Sequence, residues 1–188
     1  MKMRSCFLFV FVLLASNVFS QDTTSWKPHV VDNIVTLHLP DGDFEIIRPM
    51  ENFTVYRAVY DSVVFLFTKI DLIETTPLAK DSADLRNKYS ELLQGFINTS
   101  KSQLIDSGLF KERNYLGSYL KAKKNNDGID YFLEYKAFFL NEDTYGVQII
   151  YPVSQLSKLS DMRKKLLSAI KISREAKQIK GAVKKKVR

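Results

Sequence analysis

Cysteine is almost absent from this chain of 188 residues, which contains only Cys6. Because a disulfide needs two cysteines, no intramolecular disulfide is available to stabilise the fold. Histidine is nearly as scarce: His29 and His38 are the only two, and neither is flanked by a cluster of Cys, Asp or Glu at metal-ligand spacing. The sequence therefore predicts a domain stabilised by its apolar core, with no metal site and no cofactor.

Motifs that carry catalytic chemistry are also missing. The seven glycines are scattered singly, so there is no glycine-rich loop to hold a phosphate group, and no Gly-x-Ser-x-Gly nucleophile motif is present. The carboxylate pairs Asp41/Asp43 and Glu142/Asp143 fall in predicted turns, whereas a general acid needs shielding from water. We therefore expect no catalytic residues. The alternative is an enzyme of unrecognised, hydrolase-like type that uses turn carboxylates such as Asp41 and Asp43.

Apolar runs long enough to cross a membrane are not found either. The run at residues 7–15 is about half of the roughly 20 residues that a spanning helix needs. Lys2 and Arg4 precede this run, and small or short side chains follow it at Val18 and Ser20. This layout is typical of a secretory signal that is cleaved near Ser20-Gln21. We therefore expect an exported protein, located in the periplasm or outside the cell.

Positive charge is present but unevenly distributed. The formal net charge is +7, yet residues 21–170 are slightly acidic and the excess of lysine lies near the C-terminus. We therefore expect no nucleic-acid binding. A helix in this tail would place small apolar residues on one face, which predicts weak contact with an anionic membrane surface or an acidic partner. The lysines assigned to this contact are Lys180, Lys184, Lys185 and Lys186. The alternative is a solvated, frayed tail.

The first half of the body is rich in β-strand patterns. Residues 33–39 alternate between apolar and polar positions, and the Asp41-Gly42 turn followed by residues 44–48 predicts a hairpin. Residues 54–73 contain two further β-rich stretches. Because residues 63–67 are continuously apolar, they predict a central strand covered on both faces.

Helical and strand patterns then alternate. Apolar residues at helical spacing predict an amphipathic helix over 82–105, with Asp81 or Ser82 as N-cap and Gly108 at its end. Strands are predicted at 115–123, 129–139 and 145–151, separated by short polar turns. A last helix is predicted over 157–172. This order favours the α+β class, a mainly antiparallel sheet with two principal helices packed against it.

Four tyrosines recur at alternate positions in the last two predicted strands. They are Tyr131, Tyr135, Tyr145 and Tyr151. Aromatic side chains suit sheets because they bury large apolar areas, so core packing is one explanation. The other is that the four tyrosines line an aromatic groove that binds a ligand.

Several segments also match the pattern of a known family. They are YLGSYLK (115–121), the turn Asp127-Gly128, YFLEYKAFFL (131–140), DTYGVQIIY (143–151) and LSAIKI (167–172), with Leu39-Pro40 ending the first strand. On these segments, residues 33–172 resemble the PsbP-like family, whose members are often small, exported α+β domains. The resemblance implies a sheet-and-helix sandwich and a role in binding or assembly, and it supplies no catalytic residues.

These observations divide the chain into a signal peptide (1–20), a lead-in (21–32), one α+β domain (33–172) and a basic tail (173–188). We expect an exported, non-enzymatic binding or assembly protein. Its partner is expected to be an unknown protein or an apolar ligand in the cell envelope.

Overall fold

The structure is a computed structural model that describes residues 26–41, 44–71, 79, 81–141, 143–174 and 176–178. The predicted signal peptide and the tail lysines Lys180, Lys184, Lys185 and Lys186 lie outside these residues. The strands are β1 (Trp26–Val30), β2 (Val35–Pro40), β3 (Glu45–Met50), β4 (Phe53–Tyr60), β5 (Val63–Asp71), β6 (Gln103–Glu112), β7 (Tyr115–Asn126), β8 (Ile129–Leu140), β9 (Asp143–Pro152) and β10 (Ile170–Ile172). The helices are α1 (Ser82–Ser100) and α2 (Ser160–Leu167), and a short 3-10 turn spans Val153–Gln155.

The described strands form two antiparallel sheets. The larger sheet has seven strands in the order β3-β4-β5-β9-β8-β7-β6, and the smaller has three in the order β1-β2-β10. The predicted α+β fold with a mainly antiparallel sheet is therefore confirmed. The prediction of two principal helices packed on one sheet is too simple, because a second sheet joins α2 in covering one face.

The large sheet is covered on both faces. On the first, which we call the small-sheet face, Phe67 packs in one cluster with Leu37 of the small sheet and Leu166 of α2. On the second, which we call the helix face, Tyr135 packs with Phe96 of α1. Side chains reach both layers because successive residues of a strand point to opposite faces.

Strand β5 is the central strand that the continuous apolar sequence predicts. It pairs with β4 on one side and with β9 on the other. Phe65 and Phe67 are buried on the small-sheet face, and Leu66 is buried on the helix face. The prediction for residues 63–67 is confirmed.

The predicted hairpin between residues 33–39 and 44–48 is wrong. β2 pairs with β1 and β10 in the small sheet, whereas β3 pairs with β4 in the large sheet. These consecutive strands therefore belong to different sheets. β2 buries Val35, Leu37 and Leu39. The small sheet packs face to face on the large sheet and covers these side chains, so β2 does not add to the edge of the large sheet.

Helix α1 begins as predicted and ends earlier. The Asp81 carboxylate accepts hydrogen bonds from two backbone N–H groups of the first turn, at 2.8 and 2.9 Å, which makes it the N-cap. The helix stops at Ser100, because Lys101 adopts a left-handed φ of 50°. Gly108 consequently lies within β6 and not at the end of a helix.

The last predicted helix, 157–172, is also too long. α2 ends at Leu167, and the chain then forms β10, which pairs with β2. Ile170 and Ile172 are buried while Lys171 between them is exposed, an alternation that suits a strand. Neither helix of the described residues has the length and apolarity needed to cross a membrane.

The folded domain is wider than residues 33–172. At the N-terminal side, β1 lies within the predicted lead-in. At the C-terminal side, the Tyr115 hydroxyl lies 3.1 Å from the carbonyl oxygens of both Ser173 and Ala176. Both flanking segments therefore contribute to the fold, because strand pairing and hydrogen bonds hold them against the body.

Candidate binding surface

The four tyrosines predicted to line a groove are divided between the two faces of the large sheet. The register of β8 and β9 places odd-numbered residues of one strand beside even-numbered residues of the other. Tyr131 and Tyr135 therefore lie on the helix face, and Tyr145 and Tyr151 lie on the small-sheet face. The structure does not bring the four together.

Three of these tyrosines are core residues. Tyr145 and Tyr151 are fully buried, and the buried ring of Tyr135 stacks on Phe96 of α1 with a centroid distance of 5.0 Å. Burial raises the pKa of all three hydroxyls well above the usual value for tyrosine. Tyr131 alone among the four keeps a partly exposed side chain.

Tyr151 belongs to a buried ionic network. Glu134 of β8 accepts a hydrogen bond from the Tyr151 hydroxyl at 2.5 Å and one from the Arg163 guanidinium of α2 at 2.6 Å. The Lys121 ammonium lies 3.7 Å from the same carboxylate oxygen. Because breaking a buried ion pair is costly, this network fixes α2 on the sheet.

A second polar group, which we call the Lys69 cluster, consists of Asp32, Lys69, Asp71, Asp143 and Tyr145. The Lys69 ammonium lies 2.9 Å from the Asp71 carboxylate and 3.4 and 3.6 Å from those of Asp32 and Asp143. The Tyr145 hydroxyl lies 2.9 Å from Asp32 and 3.1 Å from Asp143, and it can donate to either. Within the described part of the chain, no set of three or more His, Cys, Asp or Glu residues is placed to hold a metal ion.

The two carboxylates beside Tyr145 are shifted in opposite directions. Burial favours a higher pKa for Asp32, but hydrogen bonds from two backbone N–H groups and from Tyr145, together with the charge of Lys69, outweigh it and lower that pKa. For Asp143, burial wins over the attraction of Lys69 and the pKa is raised. One group is therefore a stabilised carboxylate and the other is more easily protonated.

The turn carboxylates do not behave as one class. Asp143, expected at an exposed turn, is half-buried in the Lys69 cluster. Asp41 is exposed and pairs with the exposed Lys27 at 2.5 Å. Asp43 and Glu142 lie outside the described residues. The cluster was missed because its members come from three distant parts of the chain, and no local spacing connects them.

Strand β6 offers an open edge of the large sheet. Of the described strands, it pairs with β7 alone. Residues 103–107 are all exposed, and Leu104 and Ile105 expose 48% and 50% of their surface. Because an edge strand presents unpaired backbone groups, exposed aliphatic side chains beside it mark a site where another chain can add.

The other outer strands of the two sheets are less suited to pairing. β3 contains Pro49 and β1 contains Pro28, and proline has no backbone N–H to donate. β10 has only three residues, whereas β6 has ten and no proline. A register shift between Leu104 and Asp106 interrupts β6 near its start, so its regular part begins at Asp106.

Comparison with solved structures supports the fold described above. The chain resembles cyanobacterial PsbP from Synechocystis sp. PCC 6803, with a TM-score of 0.59 and 10% identity over 85% of this chain and 99% of that one. The chain therefore has a PsbP-like fold, and at this identity the likeness concerns the fold alone. No protein-family model and no curated protein matches the chain.

Two further solved structures are similar to a lesser degree. The Ran-binding protein Mog1p from Saccharomyces cerevisiae is 11% identical, with 79% of this chain and 95% of that one covered and a TM-score of 0.46. LpqN from Mycobacterium tuberculosis, described as involved in cell envelope biogenesis, is 14% identical, with 79% and 91% covered and a TM-score of 0.43. Scores below 0.5 do not establish a shared fold.

Proposed function

We propose that this chain is an exported, non-enzymatic binding or assembly protein that takes a protein partner along strand β6. The observation that carries the proposal is the exposed edge at residues 103–107, with Leu104 and Ile105 half-exposed on it. A partner segment that adds to the regular part of this edge, from Asp106 onward, gains backbone hydrogen bonds, and its continuation beside residues 103–105 covers both aliphatic side chains.

We favour this edge over an apolar pocket as the binding site, because the tyrosines that could have lined such a pocket are core residues. Tyr135, Tyr145 and Tyr151 already fill the core on the two faces of the sheet, so they are not available to a ligand without repacking. The open edge requires no such rearrangement, because the side chains of residues 103–107 are already exposed.

Site-specific photocrosslinking in living cells tests this proposal. A photoreactive phenylalanine analogue replaces Ile105 in one variant and Lys171, exposed on β10, in the control. We expect a discrete crosslinked partner from position 105 and none from position 171. The same products from both positions, or turnover of a substrate by the purified monomer, would contradict the proposal.

Export is part of the proposal and has its own test. The positively charged start, the short apolar run and the short side chains of Val18 and Ser20 support cleavage of a secretory signal before Gln21. Mass spectrometry of the protein from fractionated cells is expected to show an N-terminus at Gln21 in the periplasmic or extracellular fraction. An intact Met1 in the cytoplasmic fraction would disprove export.

The second candidate is a hydrolase-like enzyme that uses carboxylates of the Lys69 cluster. The opposite pKa shifts of Asp32 and Asp143 favour it, because acid and base roles need such a separation. A panel of chromogenic ester and glycoside substrates tests it. Hydrolysis by the wild type that is lost in Asp143→Asn would support an enzyme, and equal background rates in both would exclude these two reaction classes.

A further inference from the structure

The hydrogen bonds of β7 show which backbone groups of β6 face the open side of the sheet. In an antiparallel pair, facing residues either exchange both backbone hydrogen bonds or exchange none, and the two kinds of pair alternate. The Leu116 N–H in β7 donates to the Gln178 side chain, and the Leu116 carbonyl accepts from it. Leu116 and its partner on β6, Lys111, therefore point away from each other. By alternation, the outward-facing backbone groups of β6 belong to Ser107, Leu109 and Lys111.

The residues between these positions share the small-sheet face. The Phe110 side chain packs against the core on that face, with its ring centroid 5.2 Å from that of Phe138. Because alternate residues of a strand point to the same face, Asp106, Gly108 and Glu112 lie there as well. One face of the open edge is therefore formed by these four residues of β6.

Gly108 leaves a gap in this row, and Tyr119 of β7 covers it. A Cβ atom added to Gly108 would lie 3.0 Å from Cε1 of the Tyr119 ring and 3.2 Å from its hydroxyl oxygen. The hydroxyl donates to the Asp106 carboxylate at 3.3 Å, so the partly exposed ring lies across Gly108 toward the edge. We call this arrangement of Asp106, Gly108 and Tyr119 the Gly108 notch. A strand added to β6 meets an aromatic ring there, because glycine has no side chain to screen it.

Two acidic side chains lie along the same face of the edge. Asp106 is exposed at the start of the regular part of β6, and Glu112 is partly exposed at its end. Lys121 is the Cα partner of Asp106, but it also lies 3.7 Å from the buried Glu134 carboxylate. The outermost charges on this face of β6 are therefore negative, and basic side chains of an added strand complement them.

We propose that the segment taken up by β6 is an antiparallel strand that places an aromatic side chain on Tyr119, facing Gly108, between basic side chains that face Asp106 and Glu112. This inference rests on the proposed function and adds the chemistry of the partner. Backbone pairing with the outward-facing groups supplies affinity, and contacts with alternate side chains supply selectivity. Gly108 is not one of the outward-facing residues, and facing residues of that kind approach to about 4.5 Å between Cα atoms, which brings the partner's ring onto Tyr119.

Three model peptides test this chemistry. The probe is a fluorescein-labelled peptide, Lys-Thr-Thr-Val-Phe-Val-Lys-Thr, in which the phenylalanine faces Gly108 when the two lysines face Glu112 and Asp106. The other two have Ala in place of Phe, or Glu in place of both Lys. In fluorescence anisotropy, we expect the probe to bind at least about fivefold more tightly than the Ala peptide, because aromatic pairs gain beyond their buried area. We expect at least about a tenfold advantage over the Glu peptide, which shrinks at about 0.5 M ionic strength.

Variants of Tyr119 locate the aromatic preference. Tyr119→Ala removes the ring, and we expect the advantage of the probe over the Ala peptide to fall below about twofold. Tyr119→Phe keeps the ring and loses only the hydroxyl, so it is expected to retain the advantage. Circular dichroism of both variants confirms that the fold is kept.

Charge variants locate the preference for lysine. Asp106→Asn/Glu112→Gln is expected to reduce the advantage of the probe over the Glu peptide at least about fivefold. The control Glu51→Gln/Asp161→Asn makes the same change in net charge at exposed positions outside β6. It is expected to leave the advantage within about twofold of the wild type.

Amide hydrogen exchange places the bound peptide on the edge. We expect the probe to slow exchange of the Ser107, Leu109 and Lys111 N–H groups, which face outward. The Gly108 and Phe110 N–H groups point toward β7 and are expected to change little. This alternation distinguishes strand pairing from binding elsewhere on the surface, and it does not depend on whether a Tyr119 variant folds.

Four results would overturn the inference: equal binding of the probe and the Ala peptide, an aromatic preference that survives in Tyr119→Ala, equal losses in the two double variants, or no slowing of exchange by the probe. Two combinations separate this failure from failure of the proposed function. If all three peptides slow exchange along β6 equally, or if none does and Ile105 still yields its crosslink, the inference alone fails. If no peptide slows exchange and Ile105 yields no crosslink, the proposed function fails as well.

Discussion

Gly146 is placed where the large sheet has no room for a side chain. A Cβ atom at this position would lie 2.7 Å from the Thr68 hydroxyl oxygen and 2.7 Å from the Tyr135 hydroxyl oxygen. Tyr135 is buried against α1, so it cannot move aside without loosening the helix. Position 146 therefore requires glycine because the Tyr135 side chain occupies the space that a Cβ atom would need, and not because the backbone turns there.

We expect Gly146→Ala to lower the free energy of unfolding by about 1–3 kcal/mol, the usual cost of overpacking a core. Gly95→Ala is the matched control, because nothing lies within 4 Å of its added Cβ and the residue is within α1. It is expected to raise stability by up to about 1 kcal/mol. Urea denaturation measures both, and a stabilising Gly146→Ala would contradict the packing described.

Asp32 stabilises the loop between β1 and β2. Its Oδ1 accepts hydrogen bonds from the backbone N–H groups of Ile34 and Val35, both at 2.8 Å. We expect Asp32→Ala to cost about 1–3 kcal/mol at pH 7, because two buried donors lose their acceptor. Asp41→Ala, which breaks an exposed ion pair with Lys27, is expected to cost less than about 0.5 kcal/mol.

The pH dependence of the Asp32→Ala effect has a defined sign. The folded pKa of Asp32 is lowered from 3.8, so its stabilisation is complete above that value and is lost as the pH falls through the lower folded pKa. Urea denaturation at several pH values is expected to give a constant difference between wild type and variant from about pH 7 to pH 5 and a smaller one below about pH 4. A difference that already fades near pH 6 would assign the effect to another group.

Among the elements, α1 packs on the sheet through apolar side chains and is also hydrogen-bonded to it through one buried hydroxyl, that of Tyr89. The Tyr89 hydroxyl donates to the Leu116 carbonyl at 2.6 Å and accepts from the Phe139 backbone N–H at 3.0 Å. Burial raises the pKa of Tyr89 well above the usual range, so the hydroxyl stays protonated and can donate. One side chain of α1 thus binds β7 and β8 together.

We expect Tyr89→Phe to destabilise the protein by about 1–3 kcal/mol, because the Phe139 N–H is left buried without an acceptor. Tyr131→Phe removes the hydroxyl of a partly exposed tyrosine and is expected to cost less than about 0.5 kcal/mol. Thermal unfolding followed by circular dichroism compares the two. Equal melting temperatures would show that the Tyr89 hydroxyl does not hold α1.

The elements that the sequence predicts well are those specified by local patterns. The continuous apolar run of β5, the alternation in β8 and β9, and the cap at Asp81 each depend on a few neighbouring residues. β10 depends on distant pairing: Ile170–Ile172 lies against Val35–Leu37, far away in the sequence. Helical spacing over these residues therefore predicted the end of a helix where a tertiary contact produces a strand.

The candidate sites could likewise be predicted only where they depend on neighbouring residues. The exposure of Leu104 could not be predicted, because this apolar residue falls within the amphipathic helix that the sequence predicts over 82–105. The four tyrosines could be identified as a set, but their division between two faces depends on the β8–β9 register, which one residue in the turn would reverse. Asp32, Lys69 and Asp143 meet only once three separate segments have come together.

For the whole molecule, the C-terminal segment closes the fold. The hydroxyl of Tyr115, at the start of β7, lies within hydrogen-bond distance of the carbonyl oxygens of Ser173 and Ala176. The Gln178 side-chain amide accepts a hydrogen bond from the Leu116 backbone N–H and donates one to the Leu116 carbonyl. β10 completes the small sheet in the same region. The two sheets are thereby joined through residues that sequence patterns assign to a tail.

Two truncations test whether this segment is needed for folding. A chain that ends at Gln178 keeps every contact just described, so we expect its melting temperature to stay within about 2 °C of the full chain. A chain that ends at Ser168 loses the buried Ile170 and Ile172, each worth about 1.5–3 kcal/mol. Since the whole domain is stable by only about 5–15 kcal/mol, and the hydrogen bonds to Tyr115 are lost too, the shorter chain is expected to be unfolded by circular dichroism. A folded chain ending at Ser168 would show that the large sheet and α1 are stable without the closing strand.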